Sequence, residues 1–271
     1  MYFGFKDLKI SYDQKEVIKD VTMDFEKGKI TTIIGKNGCG KSSILRTLTK
    51  AVKVTNGCGY YLDKKITSYK KKELAKKIAI LPQVHSVPPD IDVRTLVSYG
   101  RFPYSSYGST LKETDWDIIN SSMKATDISH LEYQKVSTLS GGERQRAWIS
   151  MAICQQPEIL ILDEPITFLD LNHQIEILEL IKNLNKKYGI TIVMVLHDLN
   201  FAIRYSDYIF AIKDGYIYKE GMPKDIVNQK FLEEVFSLNV DMYYDEVNKC
   251  PYFIVRDIII NENKKEINNE N

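Results

Sequence analysis

Lys29-Ile30-Thr31-Thr32-Ile33-Ile34-Gly35-Lys36-Asn37-Gly38-Cys39-Gly40-Lys41-Ser42 is the stretch on which the fold turns. It opens as a β-branched run of buried-strand length and closes on a match to G-x-x-x-x-G-K-[ST]. A glycine-rich turn between a strand and a helix lets backbone N–H groups crowd around an anion, because no Cβ stands in the way. The helix expected from about Lys41 adds roughly half a positive charge at its N-terminus. The segment therefore reads as a phosphate cradle. Lys41 would reach the β- and γ-phosphates of a nucleotide, and the Ser42 hydroxyl would ligate Mg²⁺.

Working outward, Phe5, Leu8, Ile10 and then Val17, Val21, Met23, Phe25 alternate with polar neighbours, which predicts short strands before the cradle, punctuated by Lys27-Gly28. Lys70 to Ile78 reads as a basic amphipathic helix, and Ile78 to Leu81 as a strand ended by Pro82. From Val84 to about Pro157 the pattern turns helical or polar, with a loop at Val87-Pro88-Pro89. Apolar runs return at Ile159 to Leu162 and Ile190 to Leu196, separated by a helix from about His173 to Tyr188. Strand, helix, strand in that order predicts an α/β fold, a parallel sheet covered by helices. A helix near Leu199 to Tyr205, a strand at Tyr208 to Ile212 and a turn at Lys213-Asp214-Gly215 follow. Residues 223 to 260 read as a small cap, with a helix at Lys230 to Phe236 and strands either side of Asn248-Lys249. Residues 261 to 271, NENKKEINNEN, have almost nothing to bury and read as a disordered tail.

The composition narrows the function. Thirty-seven Lys and Arg against 36 Asp and Glu leave a net charge of +1, which argues against a dedicated nucleic-acid binder. No run approaches the ~18 apolar residues needed to span a bilayer. Lys6, Asp7 and Lys9 argue against a secretory signal peptide in the first ten residues. The four cysteines (Cys39, Cys58, Cys154, Cys250) lack metal-ligand spacing, which fits a reducing compartment. The lysine-rich stretch Lys64 to Lys77, with Leu74, Ala75 and Ile78 as apolar anchors, reads as a solvated helix face.

Two further segments carry chemistry. Ile159-Leu160-Ile161-Leu162-Asp163-Glu164 places two carboxylates at the C-terminal end of a strand, where α/β sheets bind ligands. Asp163 can hold Mg²⁺, usually through water, and Glu164 can polarise a water for attack on a γ-phosphate. Leu139-Ser140-Gly141-Gly142-Glu143 joins a good N-cap to bare backbone and an apolar helix, a second anion-binding helix start in the same chain.

Cradle, LSGGE, apolar-Asp-Glu and a later His197, in that order, resemble the ATP-binding cassette ATPases. The spacing agrees: 99 residues from Lys41 to Ser140, 23 to Asp163 and 34 to His197. The similarity spans residues 1 to 260, and it implies a single cassette with a RecA-like parallel-sheet core, an N-terminal antiparallel β subdomain and a helical subdomain inserted at about 84 to 156. By resemblance, Tyr12 stacks on adenine, and Gly35, Lys36, Asn37, Gly38, Cys39, Gly40, Lys41, Ser42 and Ser43 hold the phosphates of ATP. Gln83 touches Mg²⁺ and the attacking water and senses the membrane partner. Glu164 is the catalytic base, and its presence implies a hydrolysing cassette. His197 hydrogen-bonds the γ-phosphate, and Asp170 crosses to a second protomer. Ser140, Gly141 and Gly142 contact the ATP of that second protomer, so the resemblance implies a head-to-tail homodimer closed by ATP. His85, His130 and His173 are expected to be solvated or structural. Ile166 and Lys36 depart from the family's usual residues without removing a ligand.

Leu96-Val97-Ser98-Tyr99-Gly100-Arg101-Phe102-Pro103 resembles a stretch of the cassettes that serve bacterial ferric-siderophore, haem and cobalamin importers. Thr167-Phe168-Leu169-Asp170-Leu171-Asn172-His173-Gln174 and His197-Asp198-Leu199-Asn200 point the same way. The resemblance implies a subunit bound to the cytoplasmic face of the membrane. Its partners would be a dimeric permease and, indirectly, an extracytoplasmic substrate-binding protein. The alternative, a nucleotide-gated clamp on nucleic acid or the ribosome, usually needs two cassettes or a long coiled-coil insertion, and neither is present.

Overall fold

The computed structural model describes residues 1–12, 15–48, 54–83, 90–105 and 110–259. The loop at 87–89, His85 and the tail 261–271 lie outside them. Five parallel strands make the core: β3 (Ile30–Gly35), β6 (Ile78–Leu81), β7 (Ile159–Asp163), β8 (Thr191–Val195) and β9 (Tyr208–Lys213), in the order β9-β3-β8-β7-β6. The apolar runs are continuous because both faces are covered. Along β7, Ile159 and Ile161 pack towards the N-terminal strands and α1 (Lys41–Thr47), whereas Leu160 and Leu162 face the opposite cluster. That opposite cluster contains buried residues of α5 (Gly141–Cys154), α6 (Leu171–Tyr188), α7 (Leu199–Tyr205) and α9 (Gln229–Phe236).

The sheet is completed by antiparallel pairs. β1 (Phe3–Tyr12) pairs with β2 (Lys15–Phe25) and with β4 (Val54–Tyr61), and β4 pairs with β5 (Lys64–Lys65). β10 (Tyr216–Gly221) joins this group to β9, pairing parallel with β2 and, after the turn at Lys213-Asp214-Gly215, antiparallel with β9. Strands β4 and β5 were not evident in the sequence. The predicted helix at Lys70 to Ile78 forms only as α2 (Lys71–Ala75). It ends early because the Lys77 carbonyl is taken by the N–H groups of Glu158 and Ile159, at 2.8 and 3.0 Å, which draw the chain into β6.

Between β6 and β7 lie α3 (Val93–Ser98), α4 (Glu113–Ala125) and α5. Their joint is Arg101, whose side chain is only 5% exposed. Its Nε donates to Asp115 Oδ1 at 2.9 Å, its Nη1 donates to the Cys154 carbonyl at 2.9 Å, and its guanidinium lies 3.8 Å from the Tyr104 ring centroid. Burial pushes the Asp115 carboxyl up, but the Lys112 N–H and Arg101 outweigh it and hold that carboxyl below its usual range. At the far end of the chain, α8 (Pro223–Ile226) and α9 lead into the hairpin of β11 (Leu238–Asp245) and β12 (Cys250–Ile258).

Candidate functional site: a cleft at the edge of the parallel sheet

Strand β3 delivers the chain to the glycine-rich loop, and α1 begins at Lys41. Gly40, the residue before α1, is left-handed with φ of 101°, and a Cβ there would stand 2.5 Å from Ile18 Cδ1. Only glycine satisfies both demands. Lys41 is 4% exposed, and its ammonium donates to the Gly35 and Lys36 carbonyls at 2.8 and 3.1 Å. A buried cation held by carbonyl dipoles gains when a ligand brings negative charge to it.

Parallel register assembles the rest. Asp163 pairs with Val195 across β7 and β8, so the residues just beyond, Glu164 and His197, emerge together at the C-terminal edge of the sheet. Leu81 pairs with Leu162, which brings Gln83 to the same place. Glu164 has a left-handed φ of 54°, and its N–H donates to the Val195 carbonyl at 3.2 Å. Its carboxylate accepts from Gln83 Nε2 at 2.5 Å and from Thr167 Oγ1 at 3.1 Å, and its other oxygen contacts His197 Nε2. Asp163 accepts from the Ser42 hydroxyl at 3.0 Å, and burial, with Glu164 beside it, pushes its carboxyl up.

The cleft bounded by these groups measures about 410 Å³ and is lined by Tyr12, Lys41, Ser42, Gln83, Glu164 and His197, among others. Asn37, Gly38, Gly40 and Ser43 also border it. The Tyr12 hydroxyl lies 3.1 Å from Ser43 Oγ. The Lys36 side chain leaves the cleft, and its Nζ donates to Ser237 Oγ at 2.9 Å. Cys39 faces a separate hollow behind the loop, and burial pushes its thiol up.

Ser140, Gly141, Gly142 and Asp170 do not border the cleft. Ser140 caps α5: its Oγ accepts from the Glu143 N–H at 3.3 Å, and Glu143 Oε2 accepts from the Ser140 N–H at 2.9 Å. The Ser140 hydroxyl first, then its N–H, hold the Glu143 carboxyl below its ordinary range. Asp170 caps α6, accepting from the His173 N–H at 3.0 Å. Two residues were missed as site neighbours. Thr167 reaches Glu164, and His173 stands beside Asp170 with Nδ1 2.8 Å from Oδ1. Both lie in the quoted 167–174 segment, but side-chain direction there depends on how the turn after β7 folds.

A family model described as ABC transporter matches residues 18–167. The chain belongs to the ABC transporter family. It is an ATP-binding ATPase of that family. This cassette is 42% identical to the iron(3+)-hydroxamate import ATP-binding protein FhuC of Bacillus subtilis, over 95% of this chain and 96% of the relative. It is 40% identical to the ferric enterobactin transport ATP-binding protein FepC of Escherichia coli, over 92% of each. Among solved structures, a chain of a metal-chelate type ABC transporter in an inward-facing conformation shares its fold, with TM-score 0.81 at 24% identity over 94% of this chain and 96% of that one. A bacterial ABC transporter cassette solved as a dimer matches with TM-score 0.70 at 28% identity, over 81% of this chain and 98% of that one. Among the described residues no helix is long and apolar enough to cross a membrane.

Proposed function

We propose that this cassette drives import of an iron-siderophore complex, with each ATP hydrolysed between two copies of the chain. One observation carries the two-copy reading. The cleft brings together Lys41, Ser42, Gln83, Glu164 and His197, with Asp163 behind Ser42, yet the second helix start at Ser140 does not border it. Ser140-Gly141-Gly142 of a second copy, docked head to tail, would close the cleft on the phosphates, and Asp170 would cross with it.

The donor set fits Mg²⁺. A hydroxyl and a buried carboxylate, Ser42 and Asp163, stand 3.0 Å apart, and hard oxygen ligands are what this ion takes. Ser42, Asp163 and Gln83 would hold it, and when bound it would neutralise charge on the phosphate oxygens. Lys41 would exchange its loop carbonyls for phosphate oxygens, and Tyr12 would stack on adenine. Glu164 would take the proton of the attacking water, and His197 would hydrogen-bond the γ-phosphate. Closure of the two copies on ATP and reopening after hydrolysis give a rigid-body motion. Arg101 joins α4 to α5 in the inserted helical segment, so that segment can carry the motion to a permease on the cytoplasmic face of the membrane.

The substrate class rests on relatives named for ferric hydroxamate, enterobactin and petrobactin. The test is affinity purification of the tagged chain from detergent-solubilised native membranes. A stoichiometric polytopic membrane protein is expected, with ATPase activity stimulated by a loaded siderophore-binding protein. Recovery from the soluble fraction alone, or with ribosomes or DNA, would refute the transport reading.

A further inference from the structure

The two glycines that begin α5 are covered from within the same chain. Leu169 lies over Gly141, where an added Cβ would stand 3.1 Å from Leu169 Cδ2. His173 lies over Gly142 more closely, for an added Cβ would stand 2.3 Å from the His173 ring. The same ring presents Nδ1 to Asp170 Oδ1 at 2.8 Å, and the His173 N–H donates to that oxygen at 3.0 Å. These two interactions hold the Asp170 carboxyl below its usual range, so it is an anion accepting from an Nδ1–H. One helical turn further on, Arg146 of α5 pairs with Glu176 of α6 at 3.0 Å, and Gln174 Nε2 donates to the Leu169 carbonyl at 3.0 Å. The start of α5 and the turn before α6 are thereby pinned at several points, with His173 touching both.

We propose that His173 is a positioning residue, a latch that holds Asp170 against the start of α5 so that both meet a second copy as one preformed surface. The proposal rests on the two-copy site described above. Gly142 then has two uses: it bares backbone for the facing ATP, and it leaves the space that the His173 ring fills. Without the ring, Asp170 and the Ser140 turn would have to be ordered separately during closure. The cost would fall on association, while the cleft around Lys41 in the single chain would be untouched.

The test uses the full chain carrying Glu164→Gln, which should keep ATP bound, and follows dimer formation by sedimentation velocity against ATP concentration with Mg²⁺ present. Adding His173→Ala should raise the ATP concentration for half-dimerisation by about tenfold, the scale of ordering one or two additional side chains on association. Nucleotide binding to the monomer and the melting temperature should stay unchanged. His173→Asn, whose side-chain amide can donate to Asp170, should restore most of the association. Dimerisation at an unchanged ATP concentration in His173→Ala would overturn the latch. Loss of association in step with monomer nucleotide binding and melting temperature would also overturn it, because His173 would then be purely structural. If Glu164→Gln alone binds ATP but never dimerises, the two-copy reading itself fails and the latch falls with it.

Discussion

The two glycine-bearing helix starts of this chain, at α1 and α5, are equipped differently. At α1 the loop is surrounded by Ser42, Asp163, Gln83, Glu164 and His197, which arrive from four separate elements. At α5 the start is a self-satisfied cap: Ser140 and Glu143 exchange hydrogen bonds, and Leu169 and His173 cover the two glycines. The first end gathers a buried cation, two carboxylates and a histidine at one cleft, whereas the second is a capped helix start whose carboxylate, Glu143, is engaged by Ser140. If the α5 start of a second copy supplies donors to this cleft, as proposed above, hydrolysis requires association and the separation of the two ends acts as a switch.

The sharpest way to break this contrast is Glu164→Gln. Turnover should fall by at least about a hundredfold, the scale of a lost general base, while ATP still binds. Phosphate release measured beside equilibrium nucleotide binding checks it, and near-normal turnover would remove Glu164 from its role. Ser140→Arg addresses the other end. It should leave ATP binding to the Lys41 cleft intact, block the ATP-dependent dimer and lower turnover on the order of a hundredfold. An ATP-dependent dimer surviving that change would show that α5 does not face the second nucleotide.

A third variant separates architecture from chemistry. Arg101→Ala should cost about 3–5 kcal/mol in denaturant unfolding, because it strands the Asp115 carboxylate in a site that is 15% exposed. Nucleotide affinity of the remaining folded protein should be unchanged. The pH dependence has a definite sign. The Asp115 carboxyl is held down in the folded chain, so its contribution is complete above the ordinary aspartate value of about 3.9 and is lost as pH falls through the folded value. The wild type should therefore lose stability relative to Arg101→Ala in acid. The smallest effect on folding belongs to Ser140→Ala, which removes the cap hydroxyl of α5 and should cost about 1 kcal/mol in thermal unfolding of the single chain.

Much of the site was legible because its parts are local. The strand before Gly35, the turn, the helix from Lys41, the carboxylates after Ile159–Leu162 and the N-cap at Ser140 each declare themselves within a dozen residues. Helix Leu199–Tyr205 and the hairpin around Asn248-Lys249 were equally plain. Strand β4 was not, because its glycines and polar residues show no alternation, and it exists by pairing with β1. The predicted helix after Lys70 failed for a related reason, since Glu158 and Ile159 claim the Lys77 carbonyl from a distant part of the chain. Arg101 could be read as part of a family motif, but its use as a buried joint to Asp115 and Cys154 could not.

Sequence periodicity and motif spacing thus settled the α/β class, the order of most elements and the glycine-rich turn that leads into α1, since these depend on neighbours along the chain. Tertiary structure alone decided what those residues touch. Gln83 and Glu164 are 81 positions apart, and they meet because β6 and β7 are in parallel register beside β8. His173, unremarkable as a letter, meets Asp170 through the local cap of α6, but it became the neighbour of Gly142 only when α6 folded against α5. Register and helix packing are set by burial summed over many distant pairs, and no short window of sequence contains that sum.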